Sequence, residues 1–324
     1  MRKPFGIALV WLAMALAGIS AASAQTWPDR PVRILVGYPP GGGTDLVARL
    51  VQQPLTTAWG QPVIIDNRPG ANAIIAAEAV AKAKPDGYTL LMAYATEVAV
   101  NPATMKKLPY DPERDFTPIV QLASAPLVLA VNPALAAKDV RELIALAKAK
   151  PGTLSYSSSG SGSVHHFAGE LFKLQTGADL LHVPYKGSGP ATADAVSGQV
   201  QVTYASVASV LRFVQAGRLR ALAVTSKKRS SQMPEVPSMV EAGLTDFELT
   251  SWYGLLAPAG TPPGIVAKIH ADVMAALGSA EIQKSFSVQG LDMAGGTSQE
   301  FGAYIRGEAA KFARIAKAGN IHAE

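Results

Sequence analysis

The stretch Val32-Arg33-Ile34-Leu35-Val36-Gly37-Tyr38, followed by Pro39-Pro40-Gly41-Gly42-Gly43-Thr44-Asp45 and then Leu46-Val47-Ala48-Arg49-Leu50, decides the fold class. The aliphatic run reads as a buried strand, the Pro/Gly cluster as a turn, and Thr44 or Asp45 as the cap of a following helix. Pro54 is expected to kink or end that helix early. The same grammar repeats downstream. Strands are expected at 62–67, 89–94, 127–131, 154–157, 180–185, 200–204 and 219–225, and helices at 74–84, 140–150, 164–175, 265–277 and 299–317. Strands alternating with helices of this length predict βαβ units and parallel sheets, an α/β fold.

The N-terminus reads as a targeting segment. Arg2 and Lys3 precede an apolar run from Phe5 to Ile19, and Ala22-Ser23-Ala24 supplies the small residues a signal peptidase reads. Residues 1–24 are therefore expected to be a signal peptide, and the run is short of the ~20 residues that a spanning helix needs. No later stretch is long and apolar enough to cross a bilayer, so a soluble, secreted chain is expected. Of 29 basic residues two lie in the leader, leaving 27 against 24 acids, a mild excess of +3. Without a concentrated basic stripe, nucleic acid is not an expected partner. The 324 residues contain no cysteine, which removes disulfides, thiolate catalysis and Cys-based metal sites together.

Three strand–loop–helix junctions carry the chemistry. Tyr38–Asp45 offers a glycine backbone and a helix N-terminus, a receptor for a carboxylate or phosphate that needs no charged side chain. Its contiguous glycines fit neither a dinucleotide fingerprint nor a P-loop. Ser155–Ser163 runs from a short strand into a Gly/Ser loop before Val164-His165-His166-Phe167, adding hydroxyls to helix-start amides. Val183–Pro190 is the third, with Ser188 or Gly189 near a helix start, and Asp194 is expected to be structural or at the surface.

Enzyme readings find no support. His165 and His166 are adjacent, so they face different sides of a helix, and HExxH spacing is missing. No G-x-S-x-G elbow occurs, and His182, His270 and His322 are isolated. No catalytic residue, metal site or cofactor is expected.

The chain closely resembles the periplasmic solute-binding proteins of tripartite tricarboxylate transporters, the Bug-type receptors. The markers, spread over the whole mature chain, are Trp27–Arg33, Tyr38–Asp45, Gly60–Val63, Asn67–Gly70, Pro85–Leu90, Leu108–Pro112, His182–Gly187 and Trp252–Pro258. The resemblance implies a two-lobed periplasmic binding protein (Venus-flytrap) fold, each lobe a mostly parallel sheet flanked by helices. It implies a ligand held in the cleft and passed to membrane permease subunits, with the receptor a monomer in the periplasm. The chain is expected to cross between lobes near Leu122–Pro126 and Phe247–Ser251, giving one lobe of 25–125 plus 249–324 and another of 126–248.

Carried over by residue, the resemblance points to Tyr38, Gly42, Gly43, Thr44, Asp45 and Thr96 from one lobe. From the other it points to Ser158, Ser159, Gly160, His166, Ser188 and Ser206. The expected ligand is a small carboxylate, and the apolar Ala205 leans it toward aromatic or longer aliphatic acids. A departure from the family pattern is Ala95-Thr96-Glu97, where small hydroxyl or Gly residues are usual. Glu97 is expected to point to solvent; facing the cleft, it would disfavour a plain dicarboxylate. A periplasmic signalling receptor or a secreted α/β enzyme are the alternative readings.

Overall fold

A computed structural model describes residues 27–322; the expected signal peptide, 1–24, lies outside the described residues. Strand β1 (Val32–Val36) buries Val32, Ile34, Leu35 and Val36, as an aliphatic run flanked on both sides must. It pairs in parallel with β2 (Val63–Asn67) and β3 (Thr89–Tyr94). Helix α1 (Gly43–Trp59) connects β1 to β2, and α2 (Ile74–Ala81) connects β2 to β3. Pro54 does not break α1, contrary to expectation. Val47, Ala48, Val51, Leu55 and Trp59 bury one continuous face across it. At about 1.5–3 kcal/mol per fully buried large side chain, that face outweighs the ~3 kcal/mol cost of an interior proline.

After β3, a π-helical turn (Thr96–Val100) leads into the short helix α3 (Asn101–Thr104). The chain then enters β4 (Phe116–Val131), sixteen residues where the sequence predicts only 127–131. From Phe116 to Pro126 it pairs antiparallel with β9 (Thr250–Pro258), itself antiparallel to β3. Its last five residues belong to a second sheet, antiparallel to β7 (Val202–Ser206) and to β8 (Arg220–Val224). The β4–β9 register is irregular between Pro118 and Val120 and between Gln121 and Ala123, the first of these beside a proline that cannot donate to the ladder. In the second sheet β5 (Leu154–Ser158) lies parallel between β6 (Leu180–Pro184) and β7.

The second sheet carries α4 (Val140–Ala149), capped by Asp139, α5 (Val164–Thr176), α6 (Ser188–Ser197) and α7 (Val207–Gln215). The chain returns through β9 to α8 (Pro263–Leu277), α9 (Ala280–Val288), the strand β10 (Asp292–Gly295) on β4, and α10 (Ser298–Ala318). Helix α10 reaches the second sheet's layer through Phe312, whose ring meets Phe167 of α5 edge-on at 4.8 Å. A buried cluster therefore runs continuously from Leu35 and Leu91 through Trp252 and Phe301 to Phe167, Phe172 and Leu129.

Two passages join the sheets: the middle of β4 and the segment entering β9. Thr225 pins them together. Its hydroxyl accepts the Leu127 N–H at 2.9 Å and donates to the Leu249 carbonyl at 2.6 Å, fully buried. Strand register fixes where the parallel strands end. Tyr94 pairs with Tyr253, Tyr253 with Ala123, Pro126 with Thr250, and Leu127 with Ser206. The carboxyl ends of β3 and β7 thus approach the middle of β4 from opposite sides. This is the two-lobed periplasmic binding protein fold.

Candidate functional site

In the first lobe the chain leaves β1 through Gly37, where a Cβ would run into Ala73. Gly41 takes a left-handed φ of 88°, and Gly42 becomes the N-cap of α1. Neither Thr44 nor Asp45 caps the helix. Gly42 offers no side chain, so the first-turn amides are left for another acceptor. Asp45 instead fastens the loop from inside. Its Oδ2 accepts from Gly41 N–H and Arg49 Nε, both at 2.9 Å, and its Oδ1 from Asn67 Nδ2 at 2.9 Å. Burial works against its charge, but these bonds prevail and hold the carboxyl below its usual range. Asp45 and Thr44 are both buried, whereas Gly41, Gly42 and Gly43 present their backbone at the surface.

Three tyrosines pack beside this loop. The rings of Tyr38 and Tyr94 meet edge-on at 6.0 Å, and Tyr94 and Tyr253 lie 5.5 Å apart. Tyr94 Oη and Ser251 Oγ share a hydrogen bond of 2.8 Å. Burial pushes the Tyr253 phenol up to about 12, so it is a neutral hydroxyl at physiological pH. Its Oη sits where a side chain on Gly43 would go.

Glu97 corrects the sequence expectation. It does not point to solvent: it is fully buried in the turn after β3, held there by a π-helical turn that rolls it inward. Its Oε2 accepts the Tyr94 N–H at 3.2 Å, while Oε1 has no partner. The buried Tyr38 hydroxyl, flanked by Thr96 and Glu97, also makes no well-formed hydrogen bond. Burial pushes the Glu97 carboxyl up to about 8, with its neighbouring N–H groups and Tyr38 pulling the other way.

In the second lobe, three parallel strands end side by side, each followed by a helix start. The Tyr185 N–H donates to the Ser158 carbonyl and the Gly187 N–H to that of Ser159, both at 3.1 Å, tying the second junction to the third. Ser158 Oγ bonds His182 Nε2 at 2.7 Å, and Ser159 Oγ bonds His165 Nδ1 at 2.6 Å. Gly160 takes a φ of 138°, and its carbonyl accepts from Ser163 Oγ at 2.7 Å. Ser163 also caps α5 by accepting the His166 N–H. His166 Nδ1 accepts the Gly162 N–H at 3.1 Å, which leaves the neutral ring's proton on Nε2. Its ring stacks on His182 at 3.8 Å, within 6° of parallel. Burial lowers His165, His166 and His182 to about 4, so all three are uncharged at neutral pH. Ser188 begins α6, and Ser206 precedes α7, its hydroxyl bonded to that of Ser209 at 2.7 Å and to no helix amide.

The expected residues thus fall in two groups. Tyr38, Gly42, Gly43, Thr44, Asp45 and Thr96 follow β1 and β3. Ser158, Ser159, Gly160, His166, Ser188 and Ser206 lie at or beyond the carboxyl ends of β5, β6 and β7. Sequence reasoning missed Tyr94, Tyr253 and His182. The last reads as an isolated histidine, yet it packs between Tyr156 and His166 and holds Ser158. Asp194, expected to be structural, accepts from the Tyr185 hydroxyl at 2.7 Å.

Such an arrangement can hold an anion with amides, hydroxyls and neutral imidazoles. Among the described residues no cluster of three His, Asp or Glu suits a metal, and no helix is long and apolar enough to cross a membrane.

Known proteins resemble this chain along most of its length. Residues 47–321 match the family model described as tripartite tricarboxylate transporter family receptor. The protein BugT of Bordetella pertussis is 37% identical over 313 residues, covering 96% of each chain. A solved periplasmic transporter is 42% identical with a TM-score of 0.78, covering 91% of this chain and 99% of its own. The structure of R. palustris Rpa4515 with adipate is 37% identical with a TM-score of 0.79, over 91% of this chain and 99% of that one. These relatives are solute-binding proteins and not enzymes. With its parallel strands ending in glycine and serine loops on either side of β4, this chain belongs to the tripartite tricarboxylate transporter receptor family.

Proposed function

We propose that this protein is a receptor that captures a small organic acid between its two lobes, 25–125 plus 249–324 and 126–248, and delivers it to membrane permease subunits. Its relatives are periplasmic, which supports the same compartment for this chain. The observation that carries the reading is the pair of loop clusters at the carboxyl ends of both sets of parallel strands, where α1, α6 and α7 begin without a side-chain cap and the nearest cation of the first loop, Arg49, is held by Asp45. An ammonium or guanidinium ligand would find few acceptors there, whereas a carboxylate finds donors on both sides.

In this reading Gly42, Gly43 and Thr44 offer α1 amides to one end of the ligand, with Asp45 bracing the loop behind them. Tyr38 and Thr96 complete that side. Ser158, Ser159, Gly160, His166, Ser188 and Ser206 serve the other end. The tyrosine cluster suits an aliphatic or aromatic middle. Adipate, bound by the Rpa4515 relative, has this shape: two charged ends and an apolar centre. The receptor works as a monomer that closes on its ligand.

Native mass spectrometry of protein purified from its own compartment tests this. The expected result is a one-to-one adduct that, released by denaturation, is a small organic acid. A released amine or neutral sugar would overturn the proposal.

A further inference from the structure

Glu97 is an acidic residue where an anion receptor should not have one. It has no exposure and makes no ion pair among the described residues. Its surroundings can be named element by element. From the β1 loop come Gly37, whose absent Cβ would lie 3.3 Å from Oε1, and the Tyr38 hydroxyl. From β3 comes the Tyr94 N–H, on Oε2. From the segment beyond α3, Tyr110 donates its hydroxyl to the Glu97 carbonyl at 2.7 Å. Helix α10 also packs on this turn, but its Arg306, with Glu113, lines a separate cavity on the Val98 side. No cation faces the carboxyl, so burial favours its protonated form.

The Tyr94 N–H occupies Oε2, which leaves Oε1 as the oxygen free to carry the acid proton. That atom and Tyr38 Oη are two buried polar atoms left without partners at the ends of adjacent strands. Each is a donor awaiting an acceptor.

We propose that Glu97 is a positioning residue that couples capture of the organic acid to a proton: its Oε1–H bonds Tyr38 Oη, whose own O–H then points at the bound carboxylate. The inference rests on the organic-acid reading above. Losing that proton places a negative charge behind Tyr38, turns the hydroxyl toward Glu97 and repels the ligand. The carboxyl's value of about 8 puts this transition just above neutral pH. The other groups of the site stay out of that window, since the three histidines titrate near 4 and Tyr253 near 12.

The test uses the full mature chain, stripped of ligand by unfolding and refolding. Carboxyl-carbon NMR, assigned by comparison with Glu97→Gln, follows Glu97 without any ligand. Titration calorimetry from pH 7 to 9 then uses linear dicarboxylates including adipate, together with malate, citrate and benzoate. The expected resonance titrates near pH 8. The acid that binds should do so about tenfold more weakly at pH 9 than at pH 7, with Glu97→Gln flat across the range. A Glu97 resonance titrating in the ordinary carboxylate range overturns the inference. So does unchanged wild-type affinity from pH 7 to 9, while leaving the receptor reading intact. No binding of any acid at any pH overturns the receptor reading and the inference with it.

Discussion

Gly43 lies directly beneath the hydroxyl of Tyr253: a Cβ there would collide with Oη and sit 3.2 Å from Cζ. The first amide of α1 and the start of β9 are thus in van der Waals contact, and the absence of a side chain makes that approach possible. Gly43→Ala is expected to cost about 1–3 kcal/mol of stability through overpacking. Tyr253→Phe removes the clashing atom. The double variant should be less destabilised than the sum of the single ones by about 1 kcal/mol, measured by urea unfolding. Strict additivity would show that the two residues do not touch.

The stacked imidazoles of His166 and His182, with His165 nearby, make acid a specific denaturant. Their folded values near 4 lie below the unfolded value of about 6.5. Between these limits the unfolded chain binds more protons. Stability is therefore complete above pH 6.5 and is lost as pH falls toward 4, with a slope of up to about 1.4 kcal/mol per pH unit per group. His182→Gln should flatten the dependence of the urea midpoint between pH 6.5 and 4.5. An identical slope in that variant would remove His182 from the account.

Glu97 has the opposite sign. Its folded carboxyl, near 8, lies above the unfolded value of 4.5. Its contribution is whole below pH 4.5 and is lost as pH rises through 8. The stability of Glu97→Gln relative to the native protein should therefore grow between pH 5 and 8. A difference in melting temperature that stays constant over that range would contradict the burial described here.

Much of this was legible in the sequence because loops announce themselves. Gly41-Gly42-Gly43 and Ser158-Ser159-Gly160 are punctuated by strands before and helices after, and that grammar survives without coordinates. Other features depend on neighbours distant in the chain. Strand β9 is buried along all nine residues and lacks the alternation that marks a half-buried strand. The inward turn of Glu97 follows from a π-helical turn that has no sequence signature. Neither Tyr253 nor Tyr94 stands out until β3 and β9 pair Tyr94 with Tyr253 beside the first loop. His182 is silent for the same reason, since its partner Ser158 is brought in by the β5–β6 pairing.

The junction between lobes depends on Thr225, whose single hydroxyl serves both passages of the chain. Thr225→Val keeps the shape but leaves the buried Leu127 N–H without its acceptor. A loss of about 1–3 kcal/mol is expected, with faster hydrogen exchange at Leu127. Unchanged exchange there would show that the bond does not hold the junction.

The central claim is that this chain binds a small organic acid through uncharged donors. The most direct measurement is a thermal-shift titration of the ligand-stripped protein against carboxylates, amines and neutral sugars at pH 7. The account predicts a saturable rise in melting temperature with one class of organic acid, about 2.7 kcal/mol of stabilisation at a hundredfold excess over Kd, and none with amines or sugars. A rise with amines or sugars alone would contradict it.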